Sequence, residues 1–123
     1  MDWKDFHDQA IRLSISPIES DQRSAISRAY YALYNLSKER FLLYDGIIGH
    51  QDQGSHSSLW NSIRGDNDEN WRFVGLMGSR LKIHRVSADY YKAFRGNLNT
   101  VTGQAIRQSQ ACIQRLNDFF PEK

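Results

Sequence analysis

The side chains best able to do chemistry in this chain are concentrated in one segment, Arg80-Leu-Lys82-Ile-His84-Arg85-Val-Ser-Ala-Asp89-Tyr90-Tyr91-Lys92. Arg80, Lys82, Arg85, Lys92 and nearby Arg95 set five cations against one acid, Asp89, with aromatic residues interleaved. Cations hold phosphates, a histidine moves protons near neutral pH, and aromatic rings stack bases, so these are the parts of an RNA or nucleotide site. The same residues also have a plain structural use. Arg85 can pair with Asp89, and Tyr90 and Tyr91 can fill the end of a helical bundle.

A second group, Ser27-Arg28-Ala-Tyr30-Tyr31-Ala-Leu33-Tyr34, places tyrosines on three sides of a helix. Tyr30 and Leu33 follow the apolar stripe, whereas Tyr31 and Tyr34 are offset toward a cleft or a subunit contact. An Arg buried in such a helix needs a carboxylate partner, and Asp89 is the candidate for Arg28. The alternative for Arg28 is a surface position with its stem laid along apolar neighbours.

Most enzyme templates do not fit. The sequence has no GxGxxG, P-loop, HExxH or GxSxG pattern. Arg64–Asn70 (RGDNDEN) is acidic but lacks the alternating ladder of a calcium loop, and it reads as a solvated loop. His7, His50, His56 and His84 share no i,i+4 spacing, so neither a metal nor a cofactor is expected. The single Cys112 cannot close a disulfide within the chain, and it falls on the core side of the last helix as a small apolar residue.

The elements that must position these groups read as helices. Trp3, Phe6, Ala10 and Leu13 form one helical stripe that ends before Pro17. Glu19 or Ser20 through Tyr44 keeps a 3.6-residue period without Gly or Pro, with Ser20 as a candidate N-cap. A loop with three glycines follows over Asp45–Gly54, then a short helix from about Ser55 to Ile63. The next helix is expected near Trp71–His84, and its Gly75 and Gly78 either weaken it or admit another helix closely. Val86–Leu98 shows no clear period, and a last helix spans about Asn99–Phe120 before Pro121. The expectation is an all-α, antiparallel up-and-down bundle of four to five helices, with residues 1–123 as a single domain.

Composition narrows the function classes. Sixteen basic and fourteen acidic side chains leave a formal charge of +2, which excludes a broad DNA-coating or membrane-coating surface. The acids gather at Asp2–Asp8 and Asp66–Glu69, away from the basic segment. Eleven of the sixteen cations are Arg, the planar fork suited to phosphate and carboxylate. The N-terminal residues lack the basic start and apolar run of a signal peptide, and no stretch reaches the ~20 apolar residues of a membrane span. A cytoplasmic location without membrane association is the expectation.

Taken in order, SRAYYALYN on a long second helix, a Gly-rich loop leading into GSHSSL, and an Arg followed by ADY resemble the HEPN superfamily (higher eukaryotes and prokaryotes nucleotide-binding domains). The resemblance spans roughly residues 3 to 120. It implies a small helical bundle, often a homodimer, that works on RNA or nucleotides in prokaryotic toxin–antitoxin or phage-defence systems. Some members act beside a nucleotidyltransferase or antitoxin partner. Its nuclease branch cleaves RNA without metal, using an Arg on the phosphate and a His a few residues later that assists attack by the 2′-OH.

In this chain Arg85 takes the place of that Arg, and Tyr90 stands where the His would fall. The resemblance therefore implies an RNA- or nucleotide-associated protein lacking the usual nuclease histidine, with Arg85, Asp89, Tyr90 and the neighbouring cations as its site. One alternative is an active endoribonuclease using Arg85 with His84 or with the remote His56, and Tyr31 lining the cleft. The other is a structural interaction module in which an Arg–Asp pair locks the bundle.

Overall fold

The computed structural model describes residues 2–45 and 55–123. It is an all-α helical bundle, with helices α1 (Trp3–Ser14), α2 (Glu19–Tyr44), α3 (Ser55–Arg64), α4 (Glu69–Tyr90) and α5 (Leu98–Phe119). No helix among the described residues is long and apolar enough to cross a membrane. His50 and the three glycines of the expected loop lie outside the described residues.

The long α2 is the central rod. It packs on α1, α4 and α5, while α3 rides chiefly on α4. Ile26, Tyr30, Leu33 and Leu36 of α2 are wholly buried, as are Leu81 of α4 and Leu116 of α5. Cys112 is also buried and free, and burial pushes its thiol up to about 12, so it behaves as a small core residue. At the far end of the bundle Trp71 stacks on Phe120, with ring centroids 4.0 Å apart. Beside this stack the buried Arg40 of α2 donates to Asn117 Oδ1 at 3.0 Å and the Phe120 carbonyl at 2.9 Å, and reaches Glu122 at 3.7 Å.

Helix ends are set by short-range polar contacts. Asp2 caps α1 through a reciprocal capping box with Asp5. The N-cap of α2 is Ile18, which makes no side-chain cap bond; Ser20, expected to cap, lies one residue inside the helix. Of the expected Arg64–Asn70 loop only residues 65–68 are a connection, because Arg64 closes α3 and Glu69 opens α4, which Asp68 caps by accepting from the Asn70 amide at 2.8 Å. Asn97 caps α5 through the Thr100 amide.

The main departure from expectation is the length of α4, which continues past His84 to Tyr90. The turn over residues 85–90 turns polar residues inward. Arg85 and Ser87 are buried there, and Arg23 of α2 donates to the Ala88, Tyr91 and Lys92 carbonyls at the helix end. An apolar count cannot register an inward stripe made of polar side chains.

Gly75 and Gly78 are the seat of α3. A Cβ on Gly75 would fall 2.7 Å from Arg64 Cγ, and one on Gly78 would fall 2.3 Å from the Trp60 ring. Of the two roles open to these glycines, the close approach is the one realised.

Candidate functional site

The site forms where α2, α3 and α4 meet. Arg85 enters from α4 and is 7% exposed. Its guanidinium carbon lies 5.2 Å from the Tyr30 ring centroid, 5.4 Å from that of Tyr31 and 5.9 Å from that of Tyr90. Stacking on aromatic faces suits the weakly hydrated guanidinium and holds it in one orientation.

Asp89, one turn further along α4, faces Arg85 at 3.7 Å and accepts from Ser27 Oγ at 3.3 Å. A strong charge-assisted bond is about 2.7–2.9 Å long. The bridge is therefore loose, and Nε of Arg85 has no hydrogen-bond partner. Arg85 is a fixed cation with donors to spare.

The pairing of Arg28 with Asp89 is corrected by this geometry. Consecutive helical residues are rotated by about 100°, so the side of α2 that faces Asp89 carries Ser27. Arg28 is turned toward α1, with its guanidinium 5.7 Å from the Phe6 ring centroid and its Nε unpartnered.

His56, in the first turn of α3, joins Arg85 rather than the nearer-in-sequence His84. Its ring stacks on Tyr34 at 4.0 Å and meets Tyr31 edge-on at 5.9 Å. Nδ1 of His56 lies 2.7 Å from the Tyr30 hydroxyl, which also accepts from Trp60 Nε1 at 2.9 Å. Tyr30 is wholly buried, and burial pushes its phenol up to about 12, against the opposing pull of the Trp60 bond and the Arg85 charge. It therefore keeps its proton at neutral pH. A buried hydroxyl proton needs an acceptor, and His56 Nδ1 supplies it. This chain of donors places the remaining imidazole proton on Nε2.

Burial first, then the charges of Arg85, Lys82 and Lys38, lower the His56 pKa from its ordinary 6.5. The ring is neutral at physiological pH. Lys82 stands beside it, donating to Ser57 Oγ at 2.7 Å. The cluster thus offers Arg85, Lys82 and the Nε2–H of His56, all donors, beside one aromatic wall, with the exposed Lys38 adding its charge from α2. Donors of this kind have the chemistry to hold an anion with several oxygens.

The other residues singled out by sequence are dispersed, apart from Tyr90, whose exposed ring flanks Arg85. His84 lines a different depression, with Lys82, Ile83, Val86, Ser87, Tyr91 and Arg95, and its pKa is lowered by burial alone. Because 84 and 85 are consecutive positions of a continuous helix, their side chains diverge, and no loop turns His84 inward. Tyr90 is 71% exposed and Tyr91 is 38% exposed, so neither plugs the bundle end. Arg80 is exposed on α4, while Lys92 and Arg95 follow its C-terminus, with Arg95 against the Tyr91 ring at 4.5 Å.

Sequence reasoning missed Tyr30 as the link between Trp60 and His56, Tyr34 as the stacking partner, and Lys38 as a neighbouring charge. The i,i+4,i+8 spacing of Tyr30, Tyr34 and Lys38 was available as a signal. What it faced depended on where α3 returns. No group of three or more metal-ligating side chains occurs among the described residues. No protein-family model, curated protein or solved structure matches this chain.

Proposed function

We propose that the chain is a HEPN-like RNA- or nucleotide-associated protein whose Arg85–His56 cluster holds a phosphate. The sequence resemblance supplies the class, with toxin–antitoxin or defence biology and a homodimer as its corollaries. The observation that carries the reading is Arg85, buried and stacked between tyrosines, loosely bridged to Asp89 and set beside a neutral, proton-donating histidine. A cation ordered in advance loses little entropy on gripping an anion.

The test is fluorescence anisotropy of a labelled single-stranded RNA oligonucleotide with EDTA present. Arg85→Ala is expected to weaken binding at least tenfold and to reduce the salt slope by about one. Equal affinity for the wild type and the variant would overturn the assignment.

One observation favours a second reading, metal-independent RNA cleavage: a neutral histidine shares the cluster with Arg85. To take a proton from a 2′-OH, Nε2 must be bare, which requires Nδ1 to donate to Tyr30 instead of accepting from it. The arrangement of Trp60, Tyr30 and His56 opposes that tautomer, so binding is the primary reading. RNA cleavage in EDTA that disappears in both His56→Ala and Arg85→Ala would establish the second.

A further inference from the structure

The outer face of α4 points away from the core and lies beside the Arg85 cluster, which it meets at Tyr90 and Lys82. Leu76, Ser79, Ile83, Val86 and Tyr90 recur at alternating intervals of three and four residues, the seam spacing of a helix that packs lengthwise on another. Leu76 is 37% exposed, Ile83 69% and Tyr90 71%, with Ser79 and Val86 half-buried between them, so the described residues leave most of the seam open. Over 14 residues it runs about 21 Å along the helix. Midway, a depression of about 390 Å³ opens between α4 and the segment after it, with Ile83, Val86 and Tyr91 as its apolar lining and Lys82 and Arg95 among its polar residues. A space of that kind takes a large apolar side chain from a partner.

The charges beside the seam identify the partner's chemistry. Arg80, Lys82, Lys92 and Arg95 have no carboxylate partner among the described residues. Asp89, the acid nearest them in sequence, is engaged with Arg85 and Ser27. A second copy on this face would set these cations against their own equivalents. RNA phosphates would satisfy the cations but make no use of apolar residues at heptad spacing. An amphipathic helix with carboxylates flanking its apolar stripe satisfies both. We propose that the outer face of α4 is the docking surface for an acidic amphipathic helix of a partner protein. This surface adjoins the phosphate site, with Lys82 at their shared edge, and does not depend on that reading.

The experiment uses the full chain and two synthetic helical peptides with leucines at the seam positions, one flanked by glutamates and the other by lysines. Isothermal titration should show micromolar binding of the glutamate peptide and at least tenfold weaker binding of the lysine peptide. Ile83→Asp should weaken the glutamate peptide at least tenfold. Arg80→Glu combined with Arg95→Glu should reverse the preference toward the lysine peptide. Both variants alter exposed side chains, and RNA affinity should stay at the wild-type level in Ile83→Asp, whereas Arg85→Ala should leave peptide affinity intact. The proposal is overturned by equal affinity for the two peptides, by no binding at millimolar concentration, or by indifference to Ile83→Asp. It is equally overturned if light scattering shows a dimer that Ile83→Asp dissociates, or if RNA or anionic-vesicle binding is what Ile83→Asp abolishes.

Discussion

Replacing Gly78 with Ala tests the seat on which the site depends. Gly78 lies mid-helix in α4, where Ala is intrinsically favoured by about 1 kcal/mol. Against this, the new methyl would lie 2.3, 2.5 and 2.6 Å from three atoms of the Trp60 ring. Trp60 is 2% exposed and tethered through Nε1 to Tyr30, so it cannot swing aside freely. Overpacking a full core costs about 1–3 kcal/mol, and loosening the Trp60–Tyr30 bond about 1 kcal/mol more. The net expectation is destabilisation by about 1–3 kcal/mol.

Gly103→Ala in α5 is the internal comparison. There the nearest atom is the terminal nitrogen of the flexible Arg107, at 3.2 Å, so the helix preference should prevail and stabilise by about 0.5–1 kcal/mol. Urea denaturation followed by circular dichroism reads both changes. If Gly78→Ala stabilises the protein as Gly103→Ala does, α3 does not rest on α4 as described, and the placement of His56 falls with it.

Further outcomes concern titration. Arg85→Gln should raise the His56 pKa toward, but not to, 6.5, because burial is the larger cause of its depression; a histidine NMR titration that does not move refutes the proximity of the two groups. His7, His56 and His84 all have lowered pKa values, so the unfolded chain binds protons first as the pH falls. Their contribution is complete above about pH 6.5 and is lost as the pH drops from there through the depressed folded values, which thermal melts at stepped pH should show. Asp45 behaves oppositely: a hydrogen bond shared with Asp66, then burial and the charges of Asp66 and Asp68, push it up to about 6. Its contribution is present at low pH and lost as the pH rises through about 6, so Asp66→Asn should raise the melting temperature at pH 8 and change it little at pH 4.

The helices with apolar stripes were legible in the sequence, because burial of one face is what the 3.6-residue period records. The span of α2 is visible in that way, as are the inward rows of α5 through Val101, Ala105, Cys112 and Leu116. The final turns of α4 were not, since Arg85 and Ser87 point inward there and are held by aromatic rings and polar contacts. Arg85 stood out by charge and neighbours alone. The identity of its histidine did not, because His56 reaches it only across the α2–α3–α4 junction, whereas His84 is adjacent in the chain and diverges in space. Adjacency in sequence misled for the same reason with Arg28: a helix turns one neighbour in and the next away.

The buried Arg40 clasp has a consequence for how the bundle opens. The last turn of a final helix ordinarily frays, exchanging its amides at nearly the open-chain rate. Here one guanidinium on α2 grips the Asn117 side chain and the Phe120 carbonyl, while Phe120 lies flat on Trp71. Releasing that turn would strand a buried cation and uncover an indole together, so the end of α5 should open only with the core. Its amides would then exchange among the slowest in the molecule, and the first region to loosen would lie elsewhere.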